Sequence, residues 1–224
     1  MLGDELKKIV KGEVKDDEET LQEFSHDTSL FEVRPKVVVA PKDVEDVKAL
    51  VRYVSEHKAE DATLSLTARS GGTDMSGGPL SESIVLDFTP HFTHFSVDAE
   101  GLRADVEPGV FYRDFEKETF AKGVLMPSYP ASKSIAALGG MVMNNSGGEK
   151  TLRYGQTRRF VEEVRMALSD GNEYAFHALD EAGLREKLEQ NDFEGGVYRK
   201  TRELLEKNYD VVQKARPGTS KNSS

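Results

Sequence analysis

The protein has 224 residues with no cysteine, a formal net charge of −10 and an apolar content of 37%. The lack of cysteine excludes disulfides and thiolate catalysis and fits a cytoplasmic location, while the charged N-terminus lacks the apolar core of a secretory signal. The acidic balance argues against a nucleic-acid partner, and no stretch approaches the roughly 20 apolar residues of a membrane-spanning helix.

The first part of the chain, residues 1–30, predicts a solvated helical lead-in. It is rich in charged, helix-forming residues, and Leu6, Ile9 and Val10 give only a weak apolar stripe. The mostly acidic run from Lys15 to Glu19 is typical of a solvated face. We therefore expect a helical segment ahead of the folded subdomains.

Residues 31–92 predict a small parallel α/β subdomain. Three short runs have the pattern of strands, and they lie at 37–40, 63–67 and 84–86. Between the first two, Asp43 is a candidate N-cap for a helix whose apolar residues repeat at helical spacing. This order of strands and helix favours parallel pairing, since a helix carries the chain back across the sheet.

Residues 93–179 predict a second subdomain that is mainly antiparallel and contains helices. Its expected strands lie at 94–97, 102–106, 161–168 and 173–176, and its expected helix lies at 111–122. Short turns join the strands in pairs, which is the pattern of antiparallel hairpins. The predicted fold class is therefore α+β, with two subdomains.

The C-terminal part of the sequence becomes charged again. Residues 180–214 predict a helical extension. Residues 215–224 are rich in Pro, Gly and Ser, and they predict a disordered tail or a truncated linker.

The segment from Arg69 to Gly78 contains four glycines in ten residues and directly follows a predicted strand. Glycine carries an entropic cost, so a simple connector would not need so many. Its missing side chain lets a ligand touch the main chain, where successive N–H groups can converge on a pyrophosphate. The hydroxyls of Ser70 and Thr73 add donors. Taken alone, the segment is equally compatible with an ordinary flexible turn.

A second glycine-rich segment runs from Leu138 to Gly148. Two glycine pairs, Gly139-Gly140 and Gly147-Gly148, bracket an apolar stretch that ends in two asparagines. Apolar groups can cover the face of a flat ring, and Asn and Ser can bond to ring edges, ribose or phosphate. Taken alone, a tight turn followed by a loop is the favoured interpretation.

Neither segment matches the glycine pattern of a Rossmann turn or of a P-loop. Their arrangement carries more weight than either alone, because Pro108-Gly109 lies between two glycine segments about one subdomain apart. A metal site is not predicted. His91 and His94 are three residues apart, but Pro90 precedes them and no third ligand is near.

Taken together, these residues resemble the FAD-binding domain of the vanillyl-alcohol oxidase / p-cresol methylhydroxylase (PCMH) superfamily. The landmarks that carry the resemblance are, in order, Pro35–Val39 with Pro41, Val44 and Val47, Arg69–Gly78, Glu107–Val110, Met126–Gly148, Arg153–Gly155 and Ala167–Gly171. Each landmark is weak alone, but the ordered set with family-like spacing is specific.

The resemblance implies a PCMH-type fold of two α+β subdomains with FAD between them. It implies pyrophosphate contacts from the first glycine segment and flavin and ribityl contacts from the second. The predicted cofactor-binding residues are Ser70, Gly71, Gly72, Thr73, Asp74, Gly77, Pro108, Gly109, Ser132, Gly139, Gly140, Asn144, Asn145, Gly147 and Gly148. Thr73 stands where some members attach FAD covalently through a histidine, so the FAD is predicted to be noncovalent.

Within the superfamily, the sequence is most similar to the 2-hydroxy-acid dehydrogenases, such as the glycolate oxidase subunit and D-lactate dehydrogenase group. This implies a flavin-dependent enzyme that oxidises a small 2-hydroxy acid, such as lactate or glycolate, by hydride transfer to FAD. The family continues well beyond residue 224, so the chain is expected to be a fragment. No catalytic residue is assigned, because the family places these residues largely in the later part.

Three alternatives stay open. The chain could be a flavin-binding module that is silent without its missing C-terminal half, which a partner chain could also supply. It could be a flavoenzyme of the same superfamily that acts on a sugar alcohol or a nucleotide sugar. The least favoured alternative is an α/β binding domain without flavin.

Overall fold

The computed structural model describes residues 1–216. Its helices are α1 (Leu2–Leu6), α2 (Glu18–Glu23), α3 (Val44–His57), α4 (Tyr112–Ala121), α5 (Leu138–Met143), α6 (Thr151–Tyr154), α7 (Glu181–Glu189), α8 (Phe193–Lys207) and α9 (Tyr209–Ala215), with a 3₁₀ helix at Thr157–Phe160. Its strands are β1 (Glu13–Lys15), β2 (Val37–Ala40), β3 (Leu66–Arg69), β4 (Ile84–Asp87), β5 (Phe95–Asp98), β6 (Arg103–Val106), β7 (Glu163–Ala167) and β8 (Glu173–His177). Of the tail predicted at 215–224, residues 217–224 lie outside the described residues, and Ala215 belongs to α9.

The first sheet has four strands in the order β1-β2-β4-β3. The central strand β4 runs parallel to both β2 and β3, and Val38 of β2 lies opposite Val85. The fourth strand, β1, pairs with the outer edge of β2 in the antiparallel direction. The parallel pairing expected of this subdomain is therefore confirmed.

Successive side chains of β2 and β4 lie on opposite faces of this sheet, so each face has its own part of the core. One face packs against α1 and α3 through the buried residues Leu6, Val37, Val39, Leu50, Ile84 and Leu86. The other face packs against α2 through Leu21, Val38 and Val85. Successive side chains of a strand point to opposite faces, so a sheet covered on both sides needs continuously apolar strands. The sequences of β2 and β4 meet this need.

The strand predicted at 63–67 begins later than expected, at Leu66. Before it, the carboxylate of Asp61 accepts hydrogen bonds from the N–H (2.8 Å) and the hydroxyl (2.6 Å) of Thr63. Such a local side-chain bond favours a turn over an extended strand. The turn therefore occupies the first residues of the predicted run.

The N-terminal segment is packed into the first subdomain, which corrects the expectation of a solvated helical lead-in. Only α1 and α2 are helical, β1 between them is an edge strand, and Leu6 is fully buried. The buried carboxylate of Asp46 in α3 accepts hydrogen bonds from the backbone N–H groups of Lys11 (2.9 Å), Gly12 (2.9 Å) and Lys42 (2.8 Å). This contact holds the N-terminal segment against the start of α3.

The second subdomain consists of two antiparallel hairpins with helices between them. β5 pairs with β6, and β7 pairs with β8. The core between β5, α4 and α5 is formed by Val110, Tyr112, Phe115, Tyr129, Ala136, Leu138 and Met141. The predicted antiparallel hairpins and the helix ending before Gly123 are confirmed.

The turn of the β7–β8 hairpin contacts α3 of the first subdomain. Arg52 donates a hydrogen bond from Nη1 to the carbonyl of Gly171 (2.9 Å), and the Ser55 hydroxyl donates to the carbonyl of Ser169 (2.6 Å). Gly171 has a φ of +75°, a conformation that favours glycine in a tight turn. These bonds connect the two subdomains at this edge.

The last three helices, α7, α8 and α9, lie almost wholly within residues 180–214, the region predicted as a helical extension. Asp180 caps α7 by accepting a hydrogen bond from the N–H of Gly183 (2.8 Å), and Asp192 caps α8 through the N–H of Gly195 (2.9 Å). Within residues 1–216, the helices are all too short or too polar to cross a membrane. The subdomain bounds predicted from the sequence remain predictions.

Two acidic residues at the start of α3, the N-cap Asp43 and Asp46 in the first turn, allow a matched stability test. Asp46→Asn should lower the free energy of unfolding by about 2 to 3 kcal/mol, because an amide accepts fewer of the three N–H bonds and loses their charge assistance. Asp43 only caps the N–H groups of Glu45 and Asp46 and bonds the exposed Lys11 side chain. Asp43→Ala should therefore cost about 1 kcal/mol. Urea denaturation measures both, and equal costs would contradict the role given to Asp46.

Candidate cofactor-binding site

The first glycine segment leaves the sheet at the end of β3 and bends at Gly72, whose φ is +62°. This left-handed backbone conformation favours glycine, which accounts for the residue type. A Cβ at Gly72 would lie 2.7 Å from Nη2 of Arg69. The space beside Gly72 is therefore filled by the Arg69 guanidinium, and Thr73 follows it half-buried in the loop.

Asp74 orders this loop from within. Its Oδ2 accepts hydrogen bonds from the N–H groups of Ser76 (2.9 Å) and Gly78 (2.8 Å) and from the Ser76 hydroxyl (2.8 Å). The bond from the N–H of Gly78 lowers the pKa of Asp74 below its ordinary value, so this carboxylate is charged at neutral pH. A charged carboxylate repels phosphate, which leaves the backbone N–H of Asp74 as the group suited to a pyrophosphate.

Gly77, a little further along the loop, lies against Phe31, which directly follows the N-terminal segment. Its φ is +83°, and a Cβ there would lie 3.0 Å from the ring of Phe31. The aromatic ring of Phe31 is 57% exposed. The outer end of the loop is therefore packed on one side by an aromatic side chain that also faces solvent.

The second glycine segment forms α5 and the turn after it. The N–H of Leu138 donates to the carbonyl of Val110 (2.8 Å), and the N–H of Gly139 donates to the carbonyl of Pro108 (3.0 Å). A Cβ at Gly139 would lie 2.5 Å from the Cβ of Pro108. The close approach of α5 to Pro108 therefore requires glycine at this position.

The carbonyl oxygen of Pro108 joins the two glycine segments. It accepts a hydrogen bond from the Ser70 hydroxyl (3.2 Å) in the first segment and from the N–H of Gly139 (3.0 Å) in the second. Gly71 packs directly against the backbone of residues 135–137, where a Cβ would clash with the carbonyl of Ile135. The structure therefore brings the two segments into contact.

Gly109 fixes the other side of this junction. Its N–H donates a hydrogen bond to the carbonyl of Phe92 (2.8 Å). A side chain at this position would clash with the carbonyl of Phe88 and would lie 2.7 Å from that of Phe92. Pro108 and Gly109 are therefore held against the chain that leaves β4.

One side of α5 is open. A Cβ at Gly140 would meet no atom of residues 1–216 within 4 Å, and both Gly140 and Asn144 are exposed. The turn before α5 is ordered by Ser132, whose carbonyl accepts hydrogen bonds from the N–H groups of Ile135 and Ala136, both at 2.9 Å. A glycine surface beside an amide is suited to a flat ring with polar edges.

Asn145 has a structural role that its sequence position did not indicate. Its φ is +48°, its Nδ2 donates to Oε1 of Gln156 (3.1 Å), and its Oδ1 accepts from the N–H of Arg158 (3.0 Å). The side chain thus holds the 3₁₀ helix against the turn after α5. The flavin contact predicted for this amide would have to compete with both bonds.

The end of the second segment is buried against its neighbours. The carbonyl of Ser146 accepts hydrogen bonds from the N–H (3.0 Å) and the hydroxyl (2.7 Å) of Thr157. Gly148 packs on the carbonyl of Tyr129, where a side chain would clash. Gly147 lies between these two anchored residues. Gly148 therefore requires its small size for this packing, and the loop-shaping role that the resemblance implies for Gly147 stays a prediction.

Two residues outside the predicted cofactor-binding set contact residues of the first glycine segment, and one of them, Arg69, is the first residue of that segment. Arg69 lies beside Gly72, and its place between a strand and a run of glycines is a signal that sequence reasoning could have used. Thr28 donates to the carbonyl of Asp74 from its N–H (3.2 Å) and its hydroxyl (2.7 Å). The 46 residues that separate Thr28 from Asp74 leave no sequence signal for this contact.

A shallow cavity of about 350 Å³ lies beside α5 and contains none of the predicted cofactor residues. It is lined by Val142, Arg158, Val161, Glu162, Phe176, His177 and Ala178. Of these lining residues, Val142 belongs to the second glycine segment, and the others lie outside both segments. In the described part of the chain, no three His, Asp or Glu side chains are grouped to hold a metal ion.

The groups at the junction fit a dinucleotide cofactor. Such a ligand joins phosphates, which need N–H and hydroxyl donors, to flat rings, which need an open surface. The loop that begins at Ser70 supplies the donors, and the open side of α5 at Gly140 supplies the surface. Because the two segments meet at Pro108, one ligand can reach both.

Comparison with known proteins agrees with this geometry. The sequence profile of a family described as FAD binding domain matches residues 35–176. The glycolate oxidase subunit GlcD of Bacillus subtilis is 32% identical over 152 residues, which cover 66% of this chain and 31% of that protein. The D-lactate dehydrogenase of Archaeoglobus fulgidus is 34% identical over 137 residues, which cover 60% and 29%.

A D-2-hydroxyglutarate dehydrogenase of Pseudomonas putida matches over more of this chain. It is 25% identical over 208 residues, which cover 92% of the chain and 20% of that protein. The chain therefore spans less than a third of the length of these three relatives.

Solved structures show the same fold. The 6-hydroxy-D-nicotine oxidase of Arthrobacter nicotinovorans matches with a TM-score of 0.64 and 24% identity, covering 75% of this chain and 36% of that one. The BBE-like 1 protein of Physcomitrella patens matches with a TM-score of 0.65 and 20% identity, covering 81% and 38%. The predicted PCMH-type α+β fold and the predicted cofactor, FAD, are confirmed. Because the family match covers more than half of the chain, this protein belongs to the FAD binding domain family.

Proposed function

We propose that this chain is the flavin-binding part of an FAD-dependent enzyme that oxidises a 2-hydroxy acid by hydride transfer to FAD. The observation that carries the proposal is the meeting of the two glycine segments at the Pro108 carbonyl. This contact offers phosphate donors and an open ring-binding surface to a single ligand.

The substrate class is supported by the names of the relatives. They are named as a glycolate oxidase subunit, D-lactate dehydrogenases and D-2-hydroxyglutarate dehydrogenases. Glycolate, lactate and 2-hydroxyglutarate all carry a hydroxyl on the carbon next to a carboxylate. A small 2-hydroxy acid is therefore the proposed substrate, with glycolate or lactate as the first candidates.

The residues of the site have separate parts in this proposal. Backbone N–H groups from Ser70 to Asp74, with Gly77 shaping the loop, hold the pyrophosphate. Gly140 and Asn144 receive the flavin on the open side of α5, and Ser132 and Asn145 border it. When bound, the flavin supplies the acceptor for the hydride. Thr73 replaces the histidine to which some members of the superfamily attach FAD, so binding is noncovalent.

The reaction needs groups beyond those assigned to this site. A hydroxy acid requires a base for its hydroxyl proton and cations for its carboxylate. The relatives are more than three times as long as the regions matched here. We propose that a further polypeptide segment, on the same chain or on a partner chain, completes the FAD site and supplies these groups. The absence of cysteine favours a cytoplasmic location.

Cofactor and substrate can be tested in sequence, FAD binding on the purified chain and substrate oxidation with the completing segment added. After incubation with FAD and gel filtration, the protein fraction should retain the visible absorption band of a flavin, released on denaturation because the FAD is noncovalent. In a preparation that also contains the completing segment, anaerobic addition of glycolate, D-lactate or D-2-hydroxyglutarate should then bleach this band.

The two steps fail in different ways. A protein fraction without flavin absorption would contradict the binding site. Bound FAD that is bleached by a sugar but by none of the hydroxy acids would contradict the substrate class. Bound FAD that no substrate bleaches, even with the completing segment present, would leave a flavin-binding module and contradict the catalytic part of the proposal.

The open side of α5 can be tested by filling it. Gly140→Leu places an apolar side chain where no atom of the described residues lies within 4 Å, so folding should be unharmed. Replacing a helical glycine should even stabilise the protein, by about 0.5 to 1 kcal/mol. Because the new side chain occupies the surface proposed for the flavin, FAD affinity should fall by about tenfold or more. Fluorescence titration with FAD measures the change.

Gly196 in α8 supplies the matched control. It is also a helical glycine whose Cβ would meet no described atom within 4 Å, and it lies outside the candidate site. Gly196→Leu should give a similar gain in stability with no change in FAD affinity. Equal FAD affinities for the two variants would place the flavin elsewhere than on α5.

A further inference from the structure

Arg69 ends β3 and places its guanidinium beside the first glycine segment. Nη2 lies 2.7 Å from the point that a Cβ at Gly72 would occupy. The guanidinium carbon is 4.8 Å from the ring centre of Phe24, and Nη1 donates a hydrogen bond to the Phe24 carbonyl (3.2 Å). The cation is therefore held between the N-terminal segment and the glycine loop.

Most of the N–H groups of this guanidinium make no hydrogen bond within residues 1–216. It carries five N–H groups, and among residues 1–216 only the hydrogen bond to Phe24 is formed. Asp27, Asp87 and Glu23 act on it as charges, but within the same residues none of them is paired with it at 4.0 Å or less. Burial lowers the pKa of Arg69 below its ordinary value, so its surroundings disfavour the positive charge.

An anion that reached the loop would supply what this cation lacks. A pyrophosphate carries about two negative charges, and its oxygens match the parallel N–H groups of a guanidinium. We propose that Arg69 binds and neutralises the pyrophosphate of FAD at the first glycine segment. The inference rests on the proposed binding of the pyrophosphate by that segment. It adds a side-chain cation to a site so far built from backbone N–H groups and hydroxyls.

The N-terminal segment fixes both parts of this contact before the ligand arrives. Phe24 holds the guanidinium, and four residues later Thr28 holds the loop through two hydrogen bonds to the carbonyl of Asp74 (3.2 and 2.7 Å). A side chain that is already placed loses little conformational freedom on binding. The charge of Arg69 can therefore contribute to affinity without a large cost of ordering.

Arg69→Met tests the proposal, because methionine keeps most of the apolar stem and removes the charge. FAD should bind about 10- to 100-fold more weakly to this variant, as expected for the loss of charge-assisted hydrogen bonds. Riboflavin, which has no phosphate, should bind as it does to the original chain. Arg69→Lys should lie between the two for FAD, since it keeps the charge but not the planar fork. Fluorescence titration measures the affinities, and thermal melting without ligand measures stability.

Arg52 offers the matched control. Its Nη1 also donates to one backbone carbonyl, that of Gly171 (2.9 Å), and its side chain also packs beside a glycine of positive φ, but that glycine lies in the turn of the β7–β8 hairpin, outside both glycine segments. Arg52→Met should leave the affinity for FAD unchanged, whatever its effect on melting.

Three outcomes would overturn the proposal. An unchanged FAD affinity in Arg69→Met would remove Arg69 from the pyrophosphate site. If Arg69→Met lost FAD and riboflavin binding equally and melted at a lower temperature, the role of Arg69 would be to stabilise the loop and not to bind the pyrophosphate. An original chain that binds no FAD, measured first in the same titration, would overturn the proposed function and this inference together.

Discussion

The carbonyl oxygen of Pro108 is the contact on which the candidate site depends. It accepts one hydrogen bond from each of two segments that are far apart in the sequence. Around it, Gly71, Gly109 and Gly139 pack backbone against backbone, and any side chain there would push the segments apart. Glycine at these three positions allows distant parts of the backbone to pack in direct contact. Only an outward glycine such as Gly140 is left free to meet a ligand.

The acidity of the chain sets a second constraint. With a net charge of −10, the overall field opposes the approach of an anion, so attraction has to come from groups within hydrogen-bond reach. The loop meets this need by turning the carboxylate of Asp74 onto its own Ser76 and Gly78. The negative charge of Asp74 is thereby satisfied by hydrogen bonds within the loop. The positive charge of Arg69 lies beside Gly72.

The sequence was most informative where a structural feature depends on residues that are close together in the chain. The apolar run 37–40 predicted a buried strand and Asp43 predicted a helix cap, because each pattern is complete within a few residues. The bonds of Asp46 to Lys11 and of Thr28 to Asp74 could not be predicted, since they join residues more than 30 positions apart. The hydrogen bonds of the Asn145 side chain to Gln156 and Arg158 likewise depend on the position of the 3₁₀ helix. The meeting of the glycine segments followed from family resemblance, not from local pattern.

The packing of the N-terminal segment has a practical consequence for anyone trimming this protein. The family match begins at residue 35, whereas β1, Leu6 and Thr28 precede it. If the expressed protein began at residue 35, the edge of β2 that pairs with β1 would be exposed. Asp46 would lose the hydrogen bonds from the N–H groups of Lys11 and Gly12, and the carbonyl of Asp74 would lose those from Thr28. Exposed strand edges invite intermolecular pairing. A fragment cut at this position would therefore be prone to aggregation and would lose a support of the first glycine segment, although it kept every residue of the candidate site.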